Sequence, residues 1–213
     1  IDDYYTTFNK PNVHLVHEPG GVSAITENGL ETASGASYDF DVIIYATGFD
    51  NGLIPFPVVG KDGVTLADRF GASESNNFQM TDPETLWGIH VADMPNFYMM
   101  IGPQSLNPVT NVTLLCEEQS KYIASIVSEM KKDGYCEVEP KQEAVARWSN
   151  KCNETAEGKV WLQCNNWYTK STKTDEKAGR QRSRLMWMES YETYLRHLIG
   201  GEEGARNEHL RFS

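Results

Sequence analysis

No apolar run in this 213-residue sequence approaches the roughly 20 residues that a membrane-spanning helix needs. The opening IDDYYTTFNK has none of the features of a signal peptide. The expectation is a protein without a membrane segment, in the cytoplasm. Positive charge is in short supply: 19 Lys and Arg stand against 30 Asp and Glu, a formal net charge of −11. That balance argues against a nucleic-acid-binding surface, which needs clustered cations. Cysteine is sparse too. Cys116, Cys136, Cys152 and Cys164 are widely spaced with no CxxC pair, which reads as thiols in a reducing compartment rather than a disulfide framework. GxSxG, HExxH, the P-loop and GxGxxG are all missing, so the chain carries no self-sufficient catalytic signature. There is no initiator Met, which suggests a fragment or a processed chain.

What is present is a mixed pattern of strands and helices. PNVHLVHE (11–18) reads as a strand behind a proline, and GGVSAIT with GLETAS as a small hairpin. SYDFDVIIYATG (37–48) reads as a buried strand, its unbroken apolar run suiting a central parallel strand covered on both faces. VVGKDGVTLADRF (58–70) suggests a short turn and strand, and LWGIHVA (86–92) and NFYMMIG (96–102) read as two more strands. The clearest helix starts at Thr110 or Asn111, which can cap it, and stops at Gly134. Leu115, Tyr122, Ile123, Ile126 and Met130 fall on one face of it. A second helix follows over 140–158 with a proline near its first turn, and a last one ends at Gly200-Gly201. Residues 201–213 are expected to fray.

Three features invite a chemical reading, each beside a plainer one. FYMMIGPQSLNPVTNVTLL (97–115) leads a Gly-, Pro- and Asn-rich loop into a helix N-terminus, where backbone N–H groups can meet ring carbonyls or a phosphate; it is equally an ordinary connection shaped by proline. Trp167 and Tyr168 stand in a polar loop, either covering a ligand or anchoring the loop. The basic run over 170–184 either steers a phosphate or is a solvated loop. His14 and His17 lie three apart in a presumed strand and so face opposite sides, which makes a metal pair improbable; His90 fits a satisfied core histidine, and no metal site is expected.

Four segments, in order, resemble the Baeyer–Villiger monooxygenases, the flavin- and NADPH-dependent enzymes that convert ketones to esters or lactones. YYTTFNKPNVHLV (4–16) is similar to the family's YYxxFNRxNVxLV, with Lys10 for its Arg, and DVIIYATGFD (41–50) to its ATGFD strand end. MPNFYMMIGPQS (94–105) is similar to PNxFxxxGPxS, and NNWY (165–168) to the SWY aromatic of a mobile loop. The resemblance covers about residues 1–200 and implies an α/β fold, the C-terminal half of a flavoprotein with two Rossmann-like dinucleotide-binding domains, containing mixed strands and about three helices. It implies that 1–32 end the NADP-binding domain, that 33–49 are the return linker, and that 50–200 complete the FAD-binding domain with a mobile loop about 161–184. The implied cofactors are FAD and NADPH. Thr47, Gly48, Asn111 and Val112 are implied to line the flavin. Trp167, Asn107, Pro108 and Val109 are implied to face substrate and NADP. The implied partners are O2, a ketone and the N-terminal half of the same enzyme.

Two departures from the family pattern bear on this. After Trp167-Tyr168-Thr169 the chain reads KSTKTDEKAGRQR, where the family has a GxNxPGK-like turn that helps to hold NADP. The dinucleotide motifs and the catalytic arginine lie upstream in the family, so no catalytic residue is assigned in this chain, and alone it is expected to be inactive. The alternatives are a related N- or S-oxygenating flavin monooxygenase, and a truncated module acting in binding or dimerisation.

Overall fold

The computed structural model describes residues 3–18, 20–47, 56–72, 80, 82–107, 110–162, 186–199 and 208–213. They belong to two compact units, Ile1–Asp50 and Asn51–Ser213.

In the first unit a single helical turn, α1 (Tyr4–Thr7), precedes irregular chain and then an antiparallel meander of β1 (Val22–Ile25), β2 (Gly29–Thr32) and β3 (Ser37–Asp39) in that order. The expected hairpin is therefore present, and the start of SYDF adds a third strand to it. Gly29 is required at the turn: a Cβ there would lie 1.9 Å from the Tyr38 carbonyl oxygen. The strand expected over 11–18 does not form, and of the one expected over 37–48 only the start, β3, is a strand among the described residues. Residues 11–18 are turn and irregular chain, which leaves His14 and His17 exposed. Residues 41–47 pair with no described strand, and Val42, Ile44 and Tyr45 are 74%, 85% and 67% exposed. An unbroken apolar run becomes a central strand only with neighbours on both edges and layers on both faces. None of these surrounds it among the described residues.

The second unit holds the core. Here α2 (Leu66–Arg69) is started by Thr65, whose hydroxyl accepts from the Asp68 N–H while the Asp68 carboxylate accepts from the Thr65 N–H. The segment expected as turn and strand is thus a turn and helix, and its one ladder contact is a bridge between Val59 and Thr65. The long helix α3 (Val112–Asp133) runs from Asn111, whose side chain accepts from the Thr113 N–H at 2.9 Å, to Gly134 at φ 78°. Two more helices follow, α4 (Gln142–Ala156) and α5 (Tyr191–Ile199), so the described residues include three substantial helices. Their inner faces meet in one core, in which Trp148 and Trp187 stack at 4.8 Å with Tyr194, Ile126, Leu115 and Cys152 around them.

The apolar run 86–92 is buried and 96–102 is for the most part half-buried, but neither is a strand. Trp87 (φ 59°) and Gly88 (φ 69°) turn the first back on itself, closed by a bridge between Leu86 and His90. Asn96 (φ 58°) and Ile101 (φ 55°) bend the second. Continuous hydrophobicity here reports burial, not extension. The C-terminus is also not frayed: β5 (Leu210–Phe212) pairs antiparallel with β4 (Val138–Pro140). Leu210 is 1% exposed, and the Ser213 carbonyl accepts from the Cys136 and Glu137 N–H groups. Buried Glu139 receives both Lys61 and Arg211 across this pair. Cys116, Cys136 and Cys152 are free thiols. No helix among the described residues is long and apolar enough to cross a membrane.

Candidate functional site

The stretch from Gly102 to the head of α3 is built on two turns that lie backbone to backbone. Gly102 donates its N–H to the Gly88 carbonyl at 3.1 Å. A methyl at Gly88 would stand 2.3 Å from Ser105 Cβ, and one at Gly102 would stand 2.4 Å from the Gly88 oxygen, so both positions need glycine for the close approach. Gln104 then fixes the turn from inside. Its Oε1 accepts from the Thr85 N–H at 2.9 Å, and its Nε2 donates to the Ser149 hydroxyl at 2.7 Å. The Thr85 hydroxyl donates to the Pro103 carbonyl at 2.8 Å and accepts from the Gly88 N–H at 3.0 Å. Ser105 closes the turn by donating to the Gly102 carbonyl at 2.8 Å. Thr85, Gln104, Ser105 and Ser149 are all buried, so each of these bonds satisfies a group that has left water.

Beyond Ser105 the loop is strapped to the segment preceding α5. The Trp187 N–H donates to the Leu106 carbonyl at 2.9 Å, Leu106 bridges Met186 in parallel, and Asn107 donates its side-chain amide to the Glu189 carbonyl. Asn107 is buried and Asn111 caps α3, so these two expected site residues act as anchors at either end of the segment. The head of α3 is open: Asn111, Val112, Thr113 and Leu114 are exposed. Early N–H groups of a helix lack intrahelical acceptors and carry the positive end of its dipole. Exposed Val112 and Leu114 flank them. That combination of N–H donors and apolar side chains suits the carbonyl-bearing edge of a flat heteroaromatic ring such as a flavin.

Of the remaining expected residues, Thr47 is exposed in the first unit. Gly48, Pro108, Val109 and Trp167, together with the basic run, lie outside the described residues. His90 is the satisfied core histidine expected. Its Nε2 lies 2.8 Å from the Tyr122 hydroxyl, and burial lowers its pKa from 6.5 to about 3, so it is neutral at physiological pH. Burial likewise drives the Cys152 thiol and the Tyr194 phenol upward, which keeps both protonated. Sequence reasoning missed the internal framework of Thr85, Ser149, Gln119 and Tyr194. The one available signal was Gln119, a polar residue on the apolar face of α3.

No family model matches the chain. Individual proteins do. The 2-oxo-Delta(3)-4,5,5-trimethylcyclopentenylacetyl-CoA monooxygenase of Pseudomonas putida is 33% identical over 174 residues, 80% of this chain and 30% of that protein. A Baeyer–Villiger monooxygenase of Pseudooceanicola batsensis is 30% identical over 170 residues, 78% of this chain and 29% of its own length. Among solved structures, OTEMO in complex with FAD and NADP aligns with TM-score 0.72 and 29% identity, over 99% of this chain and 37% of that one. Shared fold and shared sequence place the chain with the two-domain flavoprotein monooxygenases. More narrowly, it is homologous to the Baeyer–Villiger monooxygenases, and it spans about a third or less of the length of the relatives it matches.

Proposed function

We propose that the chain is the C-terminal portion of an FAD- and NADPH-dependent monooxygenase that inserts one oxygen atom of O2 beside a ketone carbonyl, giving an ester or lactone. The observation that carries this reading is the exposed head of α3, reached through a rigid two-glycine turn, in a chain 33% identical to a named monooxygenase over 80% of its length. FAD, when bound, supplies the oxygen-activating chemistry and NADPH the electrons. The residues of this chain bind, orient and exclude water. Asn111 holds the first turn of α3 in shape, so that the backbone at Val112 faces the ring edge. Thr47 and Gly48 give the ring a small-residue neighbour, and Asn107, Pro108, Val109 and Trp167 border the ketone and NADP. On this reading residues 1–32 close the NADP-binding domain, 33–49 link back and 50–200 complete the FAD-binding domain. The catalytic arginine and the phosphate-binding loops come from an N-terminal half, and the enzyme works in the cytoplasm.

The test is to combine the purified chain with the nucleotide-binding portion of the P. putida relative, FAD and NADPH. NADPH oxidation should depend on an added ketone, with an ester of the ketone mass plus one oxygen. Oxygenation of amines or sulfides with no ester formed would favour the N- or S-oxygenating alternative. Absence of any oxygenation alongside tight association would favour a binding module.

A further inference from the structure

Non-glycine residues with positive φ are uncommon, and among the described residues Asp62, Asp93 and Asn96 belong to the types that adopt that conformation most readily. The other three are Trp87 (φ 59°), Ile101 (φ 55°) and Gln104 (φ 71°), and all three lie in the paired turns beneath the candidate site. Ile101 is the most unusual, because a β-branched side chain crowds the left-handed backbone. Such conformations persist where the surroundings over-determine them. The surroundings here are a buried hydrogen-bonded chain. Gln119 is 0% exposed, and its Oε1 accepts from the Ile101 N–H at 2.8 Å. Its Nε2 donates to the Tyr194 hydroxyl at 2.8 Å, and that hydroxyl donates to the Trp87 carbonyl at 2.7 Å. One chain of bonds thus links two of the three left-handed residues to α3 and α5, while the third, Gln104, is tied by its own side chain to Thr85 and Ser149.

The topology gives this chain a consequence for the site. Gln119 lies seven residues into the same helix whose head is Asn111 and Val112, on the order of 10 Å along the axis. The stretch 101–111 therefore has both ends on α3: Ile101 through the Gln119 side chain, and Asn111 as its cap. A third tie, from Asn107 to Glu189, joins it to the base of α5, the helix that carries Tyr194.

We propose that Gln119 is a positioning residue for cofactor binding at the head of α3, acting with Tyr194 to hold residues 101–107 in place beside the helix that presents Asn111 and Val112. Its bearing on the cofactor rests on the flavin reading above; its hold on the loop does not. An amide is required at position 119 because one group must accept and the other donate. A protonated glutamic acid can do both, whereas a carboxylate offers no donor to Tyr194 and leaves a charge buried.

The test is amide hydrogen exchange on the full chain with Q119L, Q119E and Y194F. In Q119L and Y194F, exchange over 99–107 should rise about tenfold or more, as for one lost buried hydrogen bond. Exchange over 123–133, the second half of α3, should stay as in the wild type. Q119E should match the wild type at pH 5 and lose protection toward that of Q119L as the pH rises through its carboxyl pKa, which burial raises, after correction for intrinsic rates; a packing role would not produce that response. Unchanged protection over 99–107 in Q119L, or loss of that protection in Q119E already at pH 5, overturns the hold on the loop. In the two-part assembly, Q119L should raise the FAD dissociation constant about tenfold. Unchanged affinity there overturns the positioning role, whereas absence of FAD binding by the wild-type assembly overturns the flavin reading and leaves the exchange result standing.

Discussion

Gly88 and Gly102 carry more of the site's shape than any charged residue near it, because their backbones touch where a side chain would collide. Replacing Gly102 with Ala should therefore destabilise the chain by about 1–3 kcal/mol, the cost of forcing extra volume into a packed contact, read as a fall in the urea midpoint. Asn111→Ala removes the cap of α3 and should cost about 1 kcal/mol by the same measurement. His90 predicts a pH dependence. Its folded pKa, about 3, is below its ordinary 6.5, so below pH 6.5 the unfolded chain takes up a proton that the folded chain refuses. The stabilisation is complete above pH 6.5 and is lost as the pH falls toward 3, amounting to about 2 kcal/mol at pH 5. Urea unfolding at pH 7.5 and 5 should show that loss in the wild type and a smaller one in His90→Gln. At this scale the sequence was partly legible. GPQS marked a loop and His90 read as a core histidine, but Trp87-Gly88 was expected in a strand, and the partners of Gln104 and Gln119 sit 18 to 75 residues away and leave no local pattern.

Among the elements, the long helices and the hairpin of β1 and β2 were legible, and the other strands were not. The cap at Asn111, the stop at Gly134 and the apolar face between them are local signals, and α3 follows them closely. The runs 41–47, 86–92 and 96–102 are alike apolar, yet the first is exposed, the second buried and the third half-buried, and pairing depends on chain far away in sequence. The runs 86–92 and 96–102 are bent by residues of positive φ, two of them bulky, which composition gives no reason to expect. The C-terminal strand was missed for the opposite reason: NEHLRFS is short and polar, yet Leu210 enters the core and Arg211 meets buried Glu139. Leu210→Ala should cost about 2–5 kcal/mol, with loss of exchange protection at the β4 amides. A terminal segment that merely frays would tolerate the change with no shift in the unfolding midpoint.

For the whole molecule, the homology places a flavoprotein monooxygenase segment in a chain about a third or less the length of its relatives. Its two units fit that relationship differently. The second has its own core of stacked tryptophans and helices, whereas among the described residues of the first Val42, Ile44 and Tyr45 are exposed along a stretch that pairs with no strand. The overall class was legible because four motifs appear in family order; the bond network beneath the loop was not, because it is assembled from both ends of the second unit. The central claim is that this chain supplies one wall of a flavin site and needs the nucleotide-binding half for the rest. Titrating FAD into the purified chain, alone and with the nucleotide-binding portion of the P. putida relative, tests it most directly through the flavin absorption and fluorescence. The account predicts no stoichiometric binding by the chain alone and one bound flavin, with a perturbed spectrum, in the mixture. One tightly bound flavin on the chain alone, or none in a mixture whose parts associate, would contradict it.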